Sequence, residues 1–278
     1  MFALRRICNH AKNQFYRSYS AGSKLVEVTH NNDTGISTVS MGSPPFNILN
    51  VELLTALKES LIKTQENKSE GIILTSSVPH IFSAGLDIKL FLEDEKTIKN
   101  FWNILQDTWL TLYDMDIPVA AAITGTSPAG GCMLAISCEY RVFAQGKYVI
   151  GLNEALLGFS VPVWFQNPYI DVIGFRTAAT ALLRGSMFNP EKALEIGLVD
   201  ELGADRADTI KKCEDYLLSF KKIPSIGRTA IRKRLREKNL QWLKENKALD
   251  TEQTVSFAKL PIVQNSLKRY LESLKQKR

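Results

Sequence analysis

Histidine is scarce in this sequence: His10, His30 and His80 are the only three in 278 residues. An α/β-hydrolase carries its histidine after the nucleophilic serine. Gly125-Thr126-Ser127-Pro128-Ala129 comes close to a nucleophile elbow, but every histidine precedes it. Cysteine is also sparse, and Cys8, Cys132, Cys138 and Cys213 include no pair at zinc-knuckle spacing. Reduced, buried thiols are therefore expected, with a reactive thiol left open at Cys132, directly behind a glycine pair. There is no G-x-G-x-x-G, no Walker A sequence and no H-E-x-x-H, so dinucleotide, P-loop and zincin chemistry lack support and no metal site is expected. No apolar run approaches the roughly 18 residues that read as a membrane span.

Negative charge is missing from the start of the chain. Residues 1–20 carry Arg5, Arg6, Lys12 and Arg17, and the first acid is Glu27. Removing those four bases from 35 leaves 31 against 29 acids, so the net charge of +6 falls to +2. The body is close to neutral and offers little electrostatic footprint for nucleic acid. An acid-free segment bearing arginine and serine reads as a mitochondrial transit peptide over residues 1–20, with a disordered basic tail as the other reading. The first reading implies the mitochondrial matrix, and the terminal Lys-Gln-Lys-Arg is no peroxisomal address.

What is present alternates between strand and helix signals. Leu25–Glu27 and Gly35–Ser40 read as paired strands around the turn-rich His30–Thr34. Asn50 is a good N-cap for a helix through Glu66, with Leu53, Leu54, Leu57, Leu61 and Ile62 at helical spacing. Gly71–Thr75 reads as a covered parallel strand. A second helix is expected from beyond Asp87 to Tyr113, with Phe91, Trp102, Leu105, Trp109 and Leu112 on its apolar face. Val119–Ile123 fits a buried strand, although periodicity alone also allows a helix. Tyr140–Ala144 and Tyr148–Ile150 read as strands. Helices follow from Thr177 to Arg184 and, behind Asn189-Pro190-Glu191, from Lys192 to Ile196, with Gly197 as a C-cap. Amphipathic helices continue from Cys213. Their dense cations (Arg228, Arg232, Lys233, Arg234, Arg236) read either as a solvated face or as partners for phosphate. The organisation expected is a segment 1–20, a core over 24–200 and a helical region over 201–278.

Three pieces of this pattern point to chemistry. Phe82-Ser83-Ala84-Gly85-Leu86-Asp87 follows a strand with a small-residue turn, and Thr126-Ser127-Pro128-Ala129-Gly130-Gly131-Cys132 does the same before an apolar helix-forming run. Glycine lets backbone come close to a ligand, and amides at a helix N-terminus favour an oxyanion or phosphate. Third, Glu154 stands alone among Leu152, Ala155, Leu156 and Leu157. Burial disfavours the charged carboxylate and raises its pKa, which suits proton abstraction and return near neutrality. The plainer alternative is a turn acid satisfied by nearby amides.

Phe-Ser-Ala-Gly-Leu-Asp at 82–87, Pro-Ala-Gly-Gly-Cys at 128–132 and the carboxylate at 154, in this order, resemble the crotonase (enoyl-CoA hydratase/isomerase) superfamily. The resemblance covers the chain from about Lys24 onward and looks closest to the mitochondrial Δ3,Δ2-enoyl-CoA isomerases. It implies an α/β crotonase (ClpP-like) fold, in which repeated ββα units form a spiral core ahead of a C-terminal helical trimerisation region. It implies a homotrimer or a dimer of trimers, an acyl-CoA substrate, and no cofactor beyond the coenzyme A that the substrate carries. By motif position, Glu154 is the acid–base group, and the Leu86 and Gly130 amides hold the thioester oxygen. Ala84, Gly85, Leu86, Asp87 and Ile88 lie along the thioester and pantetheine, and Asn153 orients the glutamate. Ala193–Asp200 resembles the superfamily's lid region.

Two departures narrow the reaction. The resemblance implies that hydratases place a second glutamate just after the glycine pair, where this chain has Met133. One carboxylate suits shuttling a single proton between C2 and C4, which moves a 3-cis or 3-trans double bond to the 2-trans position in β-oxidation of unsaturated fatty acids. Phe159–Phe165 lacks the glycine-rich sequence usual in hydratases and looks like the isomerases' bulkier version, able to exclude water. The other readings are a different crotonase-type reaction (hydratase or thioesterase) and a non-catalytic homologue that binds CoA or RNA.

Overall fold

The computed structural model describes residues 25–275. The segment read as a transit peptide, residues 1–20, lies outside them. Eleven strands and nine α-helices are formed among the described residues.

The main sheet has six strands. Strand β1 (Val26–Asn31) pairs antiparallel with β2 (Ile36–Met41), and β4 (Gly71–Ser76), β7 (Val119–Ile123), β9 (Tyr140–Ala144) and β11 (Glu201–Gly203) follow in parallel. The first hairpin is longer than the sequence suggests. His30 and Asn31 stay in the ladder opposite Ser37 and Ile36, so the turn shrinks to about residues 32–35. Both faces of the central strands are covered. Ile72, Leu74, Val119, Ala121 and Ile123 join the main core, while Ile73, Ala120 and Ala122 pack with Val142, Cys213 and Leu217 on the other side. Alternate residues point to opposite faces, so a strand buried on both sides must be apolar throughout. That is why Val119–Ile123 shows no alternation.

The polypeptide repeats one construction. A strand enters the main sheet, a short strand enters a second sheet, and a helix returns. Thus β4 is followed by β5 (His80–Ile81), β7 by β8 (Gly125–Pro128) and β9 by β10 (Ile150–Gly151), and the three short strands form their own sheet in the order β10-β8-β5. A two-stranded parallel pair, β3 (Ile48–Leu49) with β6 (Gly85–Leu86), completes the strands. Thr126–Pro128, expected to be loop, is therefore strand. The strand expected over Tyr148–Ile150 sits later, at Ile150–Gly151, where Ile150 pairs with Ser127 and bridges to Phe188.

Helix α1 (Val51–Glu66) begins where expected, with the Asn50 side chain accepting from Leu53 N and contributing about 1 kcal/mol. Leu53, Leu54, Leu57 and Leu61 are buried, but Ile62 is exposed. The helix expected from Asp87 to Tyr113 is interrupted. A 3₁₀ turn over Ile88–Leu92 carries Phe91, and α2 (Glu95–Tyr113) starts afresh because Asp94 caps Thr97 N. Helix α3 (Gly130–Ser137) is buried at every residue. Helices α4 (Val163–Ile173), α5 (Phe175–Arg184) and α6 (Pro190–Glu195) follow, the last capped by Asn189. The sheet continues past residue 200: β11 adds to β9, and α7 (Arg206–Leu218) covers β4, β7 and β9. The long α8 (Ser225–Ala258) and α9 (Pro261–Lys275) end the described chain.

One buried carboxylate ties three of these helices together. Asp250 on α8 accepts from Trp102 Nε1 (2.7 Å) and Gln106 Nε2 (2.8 Å) on α2, and from Trp164 Nε1 (3.0 Å) on α4. A buried charge is tolerable where it is fully hydrogen-bonded. This one fixes Trp102 and Trp164, which pack edge-to-face on each other, with Trp109 packed on Trp164.

Candidate active site

Strand β8 organises the site. Ser127 N donates to Val149 O (2.8 Å) and Ala129 N to Gly151 O (2.8 Å), which zips the turn before α3 to the segment leading into Glu154. On its other edge β8 pairs with β5, just ahead of the Ser83–Asp87 turn. The three sequence pieces are thus brought together by one strand bonded on both sides.

The two turns touch. Gly85 has φ +89°, and a Cβ placed there would lie 3.1 Å from Pro128 O and 3.4 Å from Gly130 N. At Gly131 a Cβ would come within 2.7 Å of Ser83 O, a backbone clash that only glycine avoids. Between them Ala129 is held at φ 49°, ψ −120°. A non-glycine residue in that region costs of order 1–3 kcal/mol, and such strain persists where surrounding structure over-determines it. Here it swings the chain from β8 into α3.

The amide inventory distinguishes the residues of the first turn. Ala84 N donates to Phe46 O, Gly85 N to Ser83 Oγ, and Asp87 N to Leu49 O. Because successive amides of a strand alternate sides, Leu86 N–H points away from β3. In α3 the first intrahelical donor is Met133, to Ala129 O at 3.0 Å. The Gly130 amide precedes it and belongs to the orphan donors of the helix N-terminus, which carries partial positive charge. Ala84 is exposed, Gly85 buried, and Leu86, Asp87 and Ile88 half-buried. The Asp87 carboxylate caps the following 3₁₀ turn through Lys89 N.

Glu154 opens a 3₁₀ turn over Glu154–Leu157 that closes at Gly158, φ 70°. Its side chain is 7 % exposed, and neither carboxylate oxygen has a hydrogen-bond partner among the described residues. Burial therefore pushes its pKa up from 4.5 to about 7. Its own backbone amide opposes this only in part, so burial outweighs the amide on which a satisfied turn acid would rely. Asn153 is buried too, with Oδ1 unpartnered and no bond to Glu154, so an orienting contact between them is not formed here.

Around Glu154 lie groups the sequence did not single out. The Tyr169 hydroxyl on α4 is buried without a partner, and its pKa is raised by burial and by the neighbouring Cys132 and Glu154. Cys132, Cys138 and Cys213 are all free and buried. Burial, with Glu154 nearby, holds the Cys132 thiol protonated, which removes the reading of a reactive thiolate. Thr126 and Ser127 also present buried hydroxyls without partners. No short-range pattern marks Tyr169; a tyrosine on an amphipathic helix looks like any core aromatic. Met133, fully buried one turn into α3, leaves Glu154 without a second carboxylate on that helix. No group of three or more metal-ligating side chains occurs among the described residues.

The comparison with known proteins fits this geometry. Residues 31–277 match the family described as enoyl-CoA hydratase/isomerase. The chain belongs to the enoyl-CoA hydratase/isomerase family. It is 37 % identical to the mouse protein named enoyl-CoA delta isomerase 1, mitochondrial, over 99 % of this chain and 98 % of that one. The human protein of the same name is 35 % identical over 92 % of this chain and 86 % of its own length. The crystal structure of human mitochondrial delta3-delta2-enoyl-CoA isomerase superposes with a TM-score of 0.89 at 34 % identity, covering 91 % of this chain and 99 % of that one. The crotonase fold expected from the resemblance is the fold observed, with the ββα repeat placing one family motif at each winding.

Proposed function

We propose that this chain is a Δ3,Δ2-enoyl-CoA isomerase acting on an acyl-CoA substrate, with Glu154 as its single acid–base group. One observation carries the mechanism: a lone buried carboxylate with pKa about 7 stands beside two turns, each of which leaves one amide, Leu86 N–H and Gly130 N–H, without an internal acceptor. The Glu154 carboxylate takes a proton from C2 of a 3-enoyl thioester. The electron pair moves toward the thioester oxygen, which accepts from Leu86 N–H and Gly130 N–H as the dienolate forms. Electrons then return, the C2=C3 bond is made, and the glutamic acid delivers its proton to C4. Ala84 to Ile88 run along the thioester and pantetheine. One oxyanion donor is worth about 2.7–4 kcal/mol and an acid–base group a factor of about 10²–10⁴. Coenzyme A arrives with the substrate, and no separate cofactor enters these steps.

Mitochondrial names of the mouse, rat and human relatives, together with the acid-free first 20 residues, support a mitochondrial location and, within it, the matrix. We place subunit contacts of a trimer or dimer of trimers in the C-terminal helices, where Ile226 and Ile262 are exposed. No helix among the described residues is long and apolar enough to cross a membrane.

The decisive experiment is incubation of the purified protein with 3-cis-hexenoyl-CoA in deuterated water. Conversion to the conjugated 2-trans thioester without the mass of an added water is expected, and turnover should fall by at least about 10²-fold in Glu154→Gln. A 3-hydroxyacyl product, free CoA release, or near-normal turnover of Glu154→Gln would overturn the assignment.

A further inference from the structure

A groove of about 670 Å³ lies among α3, α4, α7 and α8, and neither Glu154 nor any residue of the two turns lines it. Ile136 and Cys138 reach it from the carboxyl end of α3, about 12 Å along the helix from Gly130. Four guanidinium groups line it: Arg141, Arg228, Arg232 and Arg236. Arg141 pairs with Asp200 (2.6 Å) and Arg232 with Glu139 (2.7 Å). The Asp171 carboxylate in the groove accepts from Asn239 (2.8 Å). Four cations against Asp200, Glu139 and Asp171 leave one positive charge unmatched. Arg228 and Arg236 both lack an ion pair among the described residues: Arg236 donates to Tyr113 O (2.8 Å) and lies over the Tyr113 ring, and Arg228 lies over the Phe220 ring, 4.8 Å from its centroid.

The donors are unsatisfied as well. Arg228 Nε and Nη1, Arg232 Nη2 and Arg141 Nε are all buried with no acceptor, although Arg232 and Arg141 are only 7 % and 6 % exposed. Buried guanidinium N–H groups without acceptors are costly, and a carboxylate meets them in a two-pronged geometry. Ile136, Val172, Ile223, Ile231 and Leu235 add aliphatic walls, beside the Tyr113, Tyr216 and Phe220 rings.

We propose that this groove is a second ligand site, separate from the catalytic one, that binds a monocarboxylate with a medium-length hydrocarbon chain. The carboxylate accepts from Arg228 and Arg232, and the chain lies along Ile231 and Leu235. The single unmatched charge selects a monoanion over a polyphosphate, and the apolar walls select an organic anion over inorganic phosphate.

The test is calorimetric titration of the full-length protein with octanoate, repeated with inorganic phosphate and with octylamine. Saturable binding of one octanoate per chain is expected, with phosphate and octylamine both weaker. Arg228→Gln should lower octanoate affinity by about tenfold or more while leaving isomerase turnover unchanged. Ile231→Asp, on the groove wall, should abolish binding by placing a competing carboxylate inside, while the oligomer mass read by light scattering stays that of the wild type. Octanoate affinity should be the same in Glu154→Gln and in the presence of saturating acyl-CoA. Absence of saturable binding, equal affinity in both groove variants, displacement by acyl-CoA, or phosphate binding as tightly as octanoate would each overturn the proposal.

Discussion

Replacing Glu154 by glutamine tests the burial on which the chemistry rests, independently of any substrate. The side chain keeps its shape and loses its ability to ionise. In the folded protein the carboxyl pKa is about 7, against 4.5 without the fold. The folded state therefore holds the proton more tightly than the unfolded state. Below about pH 4.5 both states are protonated and the group costs nothing in charge. Between 4.5 and 7 the unfolded chain ionises while the native side chain does not, so stability falls as pH rises, and above 7 the full cost remains. A carboxyl raised from 4.5 to about 7 corresponds to about 3 kcal/mol. Glutamine is spared that cost, so Glu154→Gln should gain stability over the wild type by about 3 kcal/mol on going from pH 4.5 to pH 8. For a chain of this size that is a relative rise in Tm of roughly 6–10 °C. Thermal unfolding followed by circular dichroism at a series of pH values, with protein concentration fixed because subunit association shifts Tm, gives the difference curve. A difference that stays flat within about 1 kcal/mol over this range would refute the reasoning, because a solvated or hydrogen-bonded carboxylate gives no such slope.

Two further outcomes follow from the burial of Glu154 and of Asp250. As a base, Glu154 must be ionised in the free enzyme, so kcat/KM for isomerisation should rise with unit slope below about pH 7 and level off above it; a profile already flat at pH 5 would exclude this carboxylate as the base. Asp250→Ala leaves Trp102, Gln106 and Trp164 donors buried without their acceptor, and at about 1–3 kcal/mol for each orphaned group should destabilise the protein by at least 3 kcal/mol in urea unfolding. A loss under 1 kcal/mol would mean that water reaches this junction.

What the sequence determined by itself was local. Asn50 and Asn189 start helices because a short polar side chain can accept from an amide two or three residues on, and that information is contained within four residues. Val119–Ile123 had to be buried on both faces because no position in it is polar. The motif residues Leu86, Gly130 and Glu154, and Met133 where a hydratase would carry a second acid, were legible too, through order and resemblance.

Other features depended on partners distant in the chain. Nothing near Asp87 announces that its helix breaks at Asp94, since the aromatic spacing from Phe91 to Leu112 runs across the interruption. Thr126–Pro128 became strand because it found β5 on one edge and β10 on the other, a pairing decided by long-range contact rather than by propensity. Tyr169 stands by Glu154 through helix packing alone. The pKa of Glu154 was likewise decided by tertiary structure. Apolar neighbours in sequence suggested a dry setting, but only the folded chain fixes how much water is removed and that no side chain replaces it as a donor. The sequence placed a carboxylate at residue 154; the packing around it raised that carboxylate's pKa to about 7, because desolvation depends on everything within a few ångströms and not on the order of residues along the chain.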